Sequence, residues 1–261
     1  MANKPYENFV LANEIEDQYN SHLDLLRFCT IDNTLVGEAG MKKIIHVYSA
    51  TNGTEKLTMG QGNSKSIEAS YTEKEFEILL AQNRFAFYDE ELKRDPLLID
   101  TGTKHAGVDL FNTIQADVYA AFGEAELETT PSAFNFDAFV DAVAELNLEN
   151  PEGVEIFGFV CPEDMAAVRK SLKDTLQYVE AFARQGYVGT VAGVNLYTKK
   201  DATAGEIIIG TKAAVTLFNK TGIEIEDNRD PNTRHNEIYS RKYYLAALTD
   251  ATKAVRIKKT A

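Results

Sequence analysis

The chain has 261 residues, 44% of them apolar and 26% charged, and a net charge of −13. That much apolar material excludes wholesale disorder and predicts one large domain or two small ones. The charge excludes a general nucleic-acid-binding surface, because phosphate backbones attract the opposite sign.

Two cysteines, Cys29 and Cys161, lie far apart, which argues against a disulfide framework and for a reducing compartment. The start, MANKPYENFV, lacks the basic-then-apolar order of a secretory leader, and no apolar run approaches membrane-spanning length. The expectation is a soluble protein made in a cytoplasm, with no membrane partner.

In chain order, residues 1–40 read as an extended arm with scattered apolar positions and a short helix around 13–27. They do not read as the start of a core. Next, Ile45 and Val47 on one side and Ile67, Ala69 and Tyr71 on the other recur at period two, the strand period. Between them lies a polar stretch with Asn52-Gly53 and Gly60-Gln61-Gly62. This predicts a long hairpin with a flexible tip. A hairpin cannot bury its own faces and is marginal alone in water. It must therefore meet a partner or fold back on its own domain, and the pattern leaves both open.

Leu110, Ile114, Val118 and Ala121 follow the helical period, widened by Phe111 and Phe122. The helix is predicted over 104–122, with Asp100 or Thr103 as cap and Gly123 as stop. A second helix begins after Asn135 and should bury Phe136, Phe139, Val140, Val143 and Leu146. From His105 to Val168 there is no Lys or Arg but thirteen Asp and Glu; the run is a solvated face or one that meets a basic neighbour. Residues 154–160 read as a buried strand, and Pro162, Glu163 and Asp164 open a helix.

In QGYVGTVAGVNLYT the glycines 186, 189 and 193 fall among β-formers. A dinucleotide fingerprint needs strand, G-x-G-x-x-G and then a helix. Here the spacing is different and strand follows, so no helix N-terminus meets a phosphate. The glycines read as bends in a sheet. Strands continue through GEIIIGT and AAVTLFNK. Then come GIEIEDNRD, a loop at 227–236, NEIYSRKYYLAAL and KAVRIKK. In KAVRIKK, Val255 and Ile257 alternate with the charges as in the edge of a half-buried strand, a better account than a polyanion patch.

No constellation supports catalysis, and the residues give no catalytic, cofactor-binding or metal-binding set. The four histidines match no zinc spacing. His105 and Asp109, at i and i+4, are more simply an exposed helix face than ligands. DNRDPN has Asn232 where a calcium loop needs glycine and Ile238 where it needs glutamate. Cys161, between a buried strand and Pro162, reads as a packed thiol.

The order of elements carries a resemblance. EASYTEKEFEILLAQNRFAFYDEELKRD is similar to the strand that leaves the extended loop of tailed-bacteriophage major capsid proteins, whose fold is named after phage Hong Kong 97. VEIFGFVCPEDMAAVRK resembles that family's central strand, proline and helix. GYVGTVAGVNLYTKKDATAGEIIIGTKAAVTLF and IEIEDNRDPNTRHNEIYSRKYYLAALTDATKAVRIKK resemble its glycine-marked and closing strands. The resemblance covers most of the chain from about residue 40.

It implies an α+β fold with an N-terminal arm over 1–40, an extended β-hairpin loop over 41–72 and peripheral-domain chain with a spine helix over 73–127. An axial α/β domain over 128–218 and closing strands of the β-rich peripheral domain over 219–261 complete it. It further implies a non-enzymatic protein, without cofactor, that self-assembles as pentamers and hexamers into an icosahedral shell around double-stranded DNA. The DNA is met by non-specific proximity. The partners are portal and scaffolding proteins and a decoration protein; the location is the virion capsid, assembled in the host bacterial cytoplasm. Inter-subunit contacts are expected at Phe9, Val10, Ile15, Lys56, Met59, Gly60, Lys65, Arg229 and Asp230.

Some members carry a removable scaffold-like segment ahead of the arm, for which this sequence has no room. A few cross-link a loop lysine to a neighbour's asparagine. Lys56 and Lys65 face that comparison with Asn228, Asn232 and Asn236, but such residues are common in loops and the bond is not expected. The other readings are a cellular nanocompartment shell of the same fold, a soluble α/β enzyme, and a tail or neck protein.

Overall fold

A computed structural model describes residues 23–50, 53–148, 153–172 and 189–260. Three sheets organise them. In the first, the 14-residue strand β12 (His235–Leu248) is shared. Strand β4 (Leu79–Tyr88) runs antiparallel along one edge of β12, from His235↔Tyr88 to Tyr244↔Leu79. Its other edge holds β11 (Glu224–Asp230) and then β10 (Val215–Asn219), on whose far side lies the parallel strand β1 (Thr30–Asp32).

The second sheet has the order β5 (Leu127–Thr129), β13 (Ala254–Lys258), β9 (Glu206–Thr211), β6 (Ile156–Val160), β8 (Val194–Thr198) and β7 (Thr190–Val191). The third is the hairpin of β2 (Lys42–Ala50) and β3 (Ala69–Glu77), whose strands pair only with each other.

Helix α2 (Leu98–Gly123) joins the two larger sheets. At 1.5 Å per residue it is about 39 Å long. Leu110, Ile114, Val118, Ala121 and Phe122 bury its stripe. These side chains form one cluster with Phe157, Phe159 and Ile208 of the second sheet and with Leu217, Tyr244 and Leu248 of the first. The other face of the second sheet carries α3 (Phe136–Glu145) and α4 (Pro162–Ser171), which pack on Ile156, Val160, Ile207, Ile209, Val255 and Ile257. The second sheet is therefore covered on both faces, and β6 reads as continuous apolar sequence for that reason.

Several local expectations hold. Asn135 caps α3, its Oδ1 accepting from the Ala138 amide at 3.0 Å. Pro162 opens α4, where its missing N–H costs nothing. Gly193, at φ +84°, follows Ala192 at +51° in the two-residue turn between β7 and β8. Positive φ at both positions suits the primed turn that matches strand twist. The glycine is thus a sheet corner.

Other expectations are corrected. Helix α2 starts at Leu98, not 104, because Asp95 accepts from Leu97 N through its carboxylate and from Leu98 N through its carbonyl. Asp100 and Thr103 lie inside the helix. On α3 the small residues Ala138 and Ala142 face the sheet beside Phe139, so Phe136 and Val140 turn outward, 49% and 43% exposed. The loop expected at 227–236 shrinks to 231–234, because β11 and β12 stay paired out to Asp230↔His235.

The division at 218 does not follow the sheets. β10 belongs with β12. β13 is an interior strand of the second sheet, held between β5 and β9 because both its faces find apolar cover. Its charges are paired within the chain: Arg256 with Glu128 at 3.3 Å, and Lys258 with Glu128 at 3.0 Å.

The largest correction concerns the arm. Leu25, Phe28 and Cys29 are buried in this chain's own core. The Phe28 ring lies 4.7 Å from Phe157 and 5.3 Å from Phe159. The buried Gln115 of α2 accepts from Leu25 N at 2.6 Å. Of the expected helix at 13–27, residues 13–22 lie outside the described residues, and Leu26–Phe28 form a single 3-10 turn.

Candidate functional site

The β2–β3 hairpin is built by sequence alternation yet lacks cover. At its root, Ile45 and Phe76 pack against Ile78, which links β3 to β4, and against Phe218, Leu245 and Ala247 of the first sheet. The Lys43 ammonium stands 5.2 Å over the Phe218 ring, and Ile78 N donates to Met41 O at 2.8 Å. Lys42 pairs with Glu75 at 2.5 Å, and that hydrogen bond raises the lysine pKa. Ile44, between the root residues, is 50% exposed, and towards the tip Ile67 and Tyr71 are 67% and 60% exposed. A half-apolar ribbon in this condition is a surface looking for a partner.

The tip is ordered by its own polar side chains. Glu55 accepts from both the amide and the hydroxyl of Ser64 at 3.0 Å. Asn63 donates to Gly53 O at 3.1 Å. Gln61 N donates to Thr58 O at 3.1 Å and closes a turn with Met59 and Gly60 at its corners. Gly60, at φ +87°, holds the position where such a turn needs glycine. Met59 is fully exposed. Lys65 lies 3.9 Å from Glu55, and Lys56 is exposed. The structure therefore brings Lys56, Met59, Gly60 and Lys65 together on one protruding tip.

Arg229 and Asp230 lie elsewhere, at the end of the β11–β12 hairpin, and both are engaged within the chain. Arg229 pairs with Asp89 at 2.8 Å. Asp89 also accepts from Asn236 at 2.6 Å; that bond, and then Arg229, hold its carboxyl below the usual range. Asp230 accepts from the Thr233 hydroxyl at 2.6 Å and from Asn232 N at 2.9 Å, which lower its pKa. Arg234 reaches Glu90 at 2.9 Å. The hairpin end is pinned to helix α1 (Asp89–Arg94). Phe9, Val10 and Ile15 lie outside the described residues.

Two features carried no sequence signal. Gln115 sits in a helical stripe like any apolar residue, and its role appears only once Leu25 is placed against it. Asp89 looks like one acid among forty, and only the pairing of β4 with β12 delivers it to Arg229 and Asn236.

Among the described residues, no three His, Cys, Asp or Glu side chains gather in a group that could hold a metal. Burial pushes the Cys29 thiol up to about 11 and also raises that of Cys161, the direction that suppresses thiolate chemistry. Among the described residues, no helix is long and apolar enough to cross a membrane.

No protein-family model matches the sequence. A curated relative, the major capsid protein of Staphylococcus phage phiMR11, is 25% identical over 260 residues, covering 96% of this chain and 92% of its own length. Among solved structures, the capsid of cyanophage P-SCSP1u superposes with a TM-score of 0.77 at 12% identity, over 95% of this chain and 91% of that one. The mature capsid of bacteriophage PhiM1 gives 0.72 at 13% identity, over 100% and 92%. The chain has the Hong Kong 97-like capsid fold.

Proposed function

We infer that the chain is the major capsid protein of a tailed bacteriophage, a structural subunit that self-assembles as pentamers and hexamers into an icosahedral shell around packaged double-stranded DNA. The observation that carries this is the freestanding β2–β3 hairpin. Among the described residues its strands bond only to each other, and beyond the packed Ile45 and Phe76 the side chains of Ile44, Ile67 and Tyr71 stand in solvent. Laid over a neighbouring subunit, those side chains lose their water and the open strand edges gain hydrogen-bond partners. Each such contact is weak, but each recurs around the shell. The net charge of −13 suits a container that must not bind its DNA tightly.

In this reading residues 41–72 form the extended loop, 73–127 carry the spine helix, 128–218 hold most of the axial domain and 219–261 supply closing strands. Within the 1–40 arm, 24–29 are committed to the subunit's own core. Phe9, Val10, Ile15, Lys56, Met59, Gly60 and Lys65 are contact candidates. Arg229 and Asp230 act first as internal fasteners. The role is structural, without cofactor. The location is the virion capsid, assembled in the host bacterial cytoplasm, with portal, scaffolding and decoration proteins as further partners.

The test is expression of the full chain and of a deletion lacking 44–70, viewed by negative-stain microscopy. Shells from the full chain and soluble, folded, unassembled subunits from the deletion are expected. Normal shells from the deletion would overturn the assignment of the hairpin, and tubes or an inert monomer from the full chain would overturn the shell itself.

A further inference from the structure

The second sheet presents a face that the hairpin does not explain. On α3 the inward side is satisfied by Ala138, Phe139 and Ala142. Its outward side carries two parallel ridges at helical spacing. One is Phe136, Val140 and Ala144; the other is Asp137, Asp141 and Glu145, and all six are exposed. An i, i+4, i+8 series lines one side of a helix. Two adjacent series of opposite character make an interface pattern rather than a uniformly solvated one.

Helix α4, on the same face of the same sheet, is the complement in size and sign. Its outward residues include the small Ala166 and Ala167, followed by Arg169 and Lys170 in the last turn. These are the first basic residues after Lys104, the thirteen acids between being unrelieved. Within one subunit the two sets do not neutralise each other: none of Asp137, Asp141, Glu145, Arg169 and Lys170 makes an ion pair with a described residue.

We propose that the α3 ridges of one subunit dock on the α4 end of the next copy of this chain, with Phe136 and Val140 seated on Ala166 and Ala167 and the acidic ridge facing Arg169 and Lys170. Each copy carries one donor face and one acceptor face. Donor and acceptor are different patches, which permits a heterologous contact, the type that closes into rings when repeated by a fixed rotation. Charge complementarity selects the partner: a polyanion would be repelled by the acidic ridge, whereas the chain's own α4 end offers the missing positive charge. The proposal rests on the shell reading and assigns to it the contact that closes a ring, separate from the hairpin.

The test reverses each face and then both in the full chain. Asp137→Lys with Asp141→Lys makes one variant, and Arg169→Glu with Lys170→Glu the other. Each should lower the yield of rings and shells about tenfold, because like charges now oppose. The chain carrying all four changes should recover to within roughly threefold of the original. All positions are exposed, but Asp137 lies in the first turn of α3 and Arg169 and Lys170 in the last turn of α4, so each variant's thermal melt is compared with the parent's. For a variant whose melt shifts, carbodiimide coupling of assembled parent chains replaces it. With equal parts of isotopically light and heavy subunits, mixed-isotope links between Lys170 and the α3 acids are expected. Reversed chains that assemble like the parent, a fourfold variant no better than its halves, or the absence of mixed links would each overturn the proposal while leaving the shell reading intact. A parent chain that forms neither rings nor shells would overturn that reading itself.

Discussion

The two long hairpins of this protein begin from similar sequence and end in opposite conditions. β2–β3 and β11–β12 both alternate apolar and charged residues, and both pair in register over seven or more residues. β11–β12 is backed on its second edge by β4 and closed by the short turn at 231–234. Its outer face is laced by Arg241 to Glu224 at 2.8 Å and Glu226 at 2.6 Å, and by Arg84 to Glu237 at 3.1 Å. Among the described residues β2–β3 has no third strand, and residues 51–68 separate its two strands. The difference teaches that a strand pattern specifies a ribbon, while a third strand decides whether the ribbon belongs to the subunit's interior or to its surroundings.

That contrast is broken most severely by attacking the body from which both hairpins hang. Phe28→Ala removes a ring packed on Phe157 and Phe159 and should lower unfolding stability by about 3–5 kcal/mol in denaturant titration. A smaller loss would mean that the 24–29 segment is not held by the core as described. Next comes the backing of the second hairpin. At Gly102 of α2 an added Cβ would fall 2.2 Å from the Phe85 ring of β4. Gly102→Ala should therefore cost roughly 1–3 kcal/mol by overpacking, again in denaturant titration. An unchanged midpoint would show that β4 does not lie against the helix there.

Smallest of the stability effects is Ile67→Ser on the freestanding ribbon. It should change subunit stability by no more than about 0.5 kcal/mol, as for other surface positions, while reducing shell yield. A large loss of subunit stability would place the ribbon inside the core and reverse the comparison.

Acid sharpens the contrast from the other side. The carboxyls of Asp89, Asp230 and Glu237 are all held below the usual range by the β11–β12 contacts, with Tyr239 the main donor to Glu237. A lowered native pKa contributes stability that is fully present above the unfolded value of about 4 and is lost as pH falls through the native one. Amide exchange at residues 229–236 should therefore speed up below about pH 4. The step should weaken in Asp89→Asn; an unchanged step would remove Asp89 from the fastening.

Much of the fold was legible before any coordinates. Period-two runs located both hairpins, the Leu110 to Ala121 stripe located α2, and Asn135 and Pro162 marked the starts of α3 and α4. The fold family followed from the order of these pieces. Of the candidate site, Met59 and Gly60 lie on the hairpin tip, while Arg229 and Asp230 are exposed at the end of β11–β12 with partners in their own chain, Asp89 and Thr233. Those intrachain partners were not legible, because a charged loop residue looks the same in sequence whether its partner is water, a neighbouring copy or another strand of its own chain.

The amino-acid sequence alone located most of the strands, helices and turns, because propensity, capping and side-chain periodicity act over a few residues. Only the tertiary structure decided that β10 and β13 exchange sheets, that α3 turns Phe136 outward, that Gln115 ties down the root of the arm and that β2–β3 stands apart. Those outcomes depend on which faces meet between distant stretches of chain, and a face chooses its cover by fit and by the burial it gains, not by its neighbours in sequence.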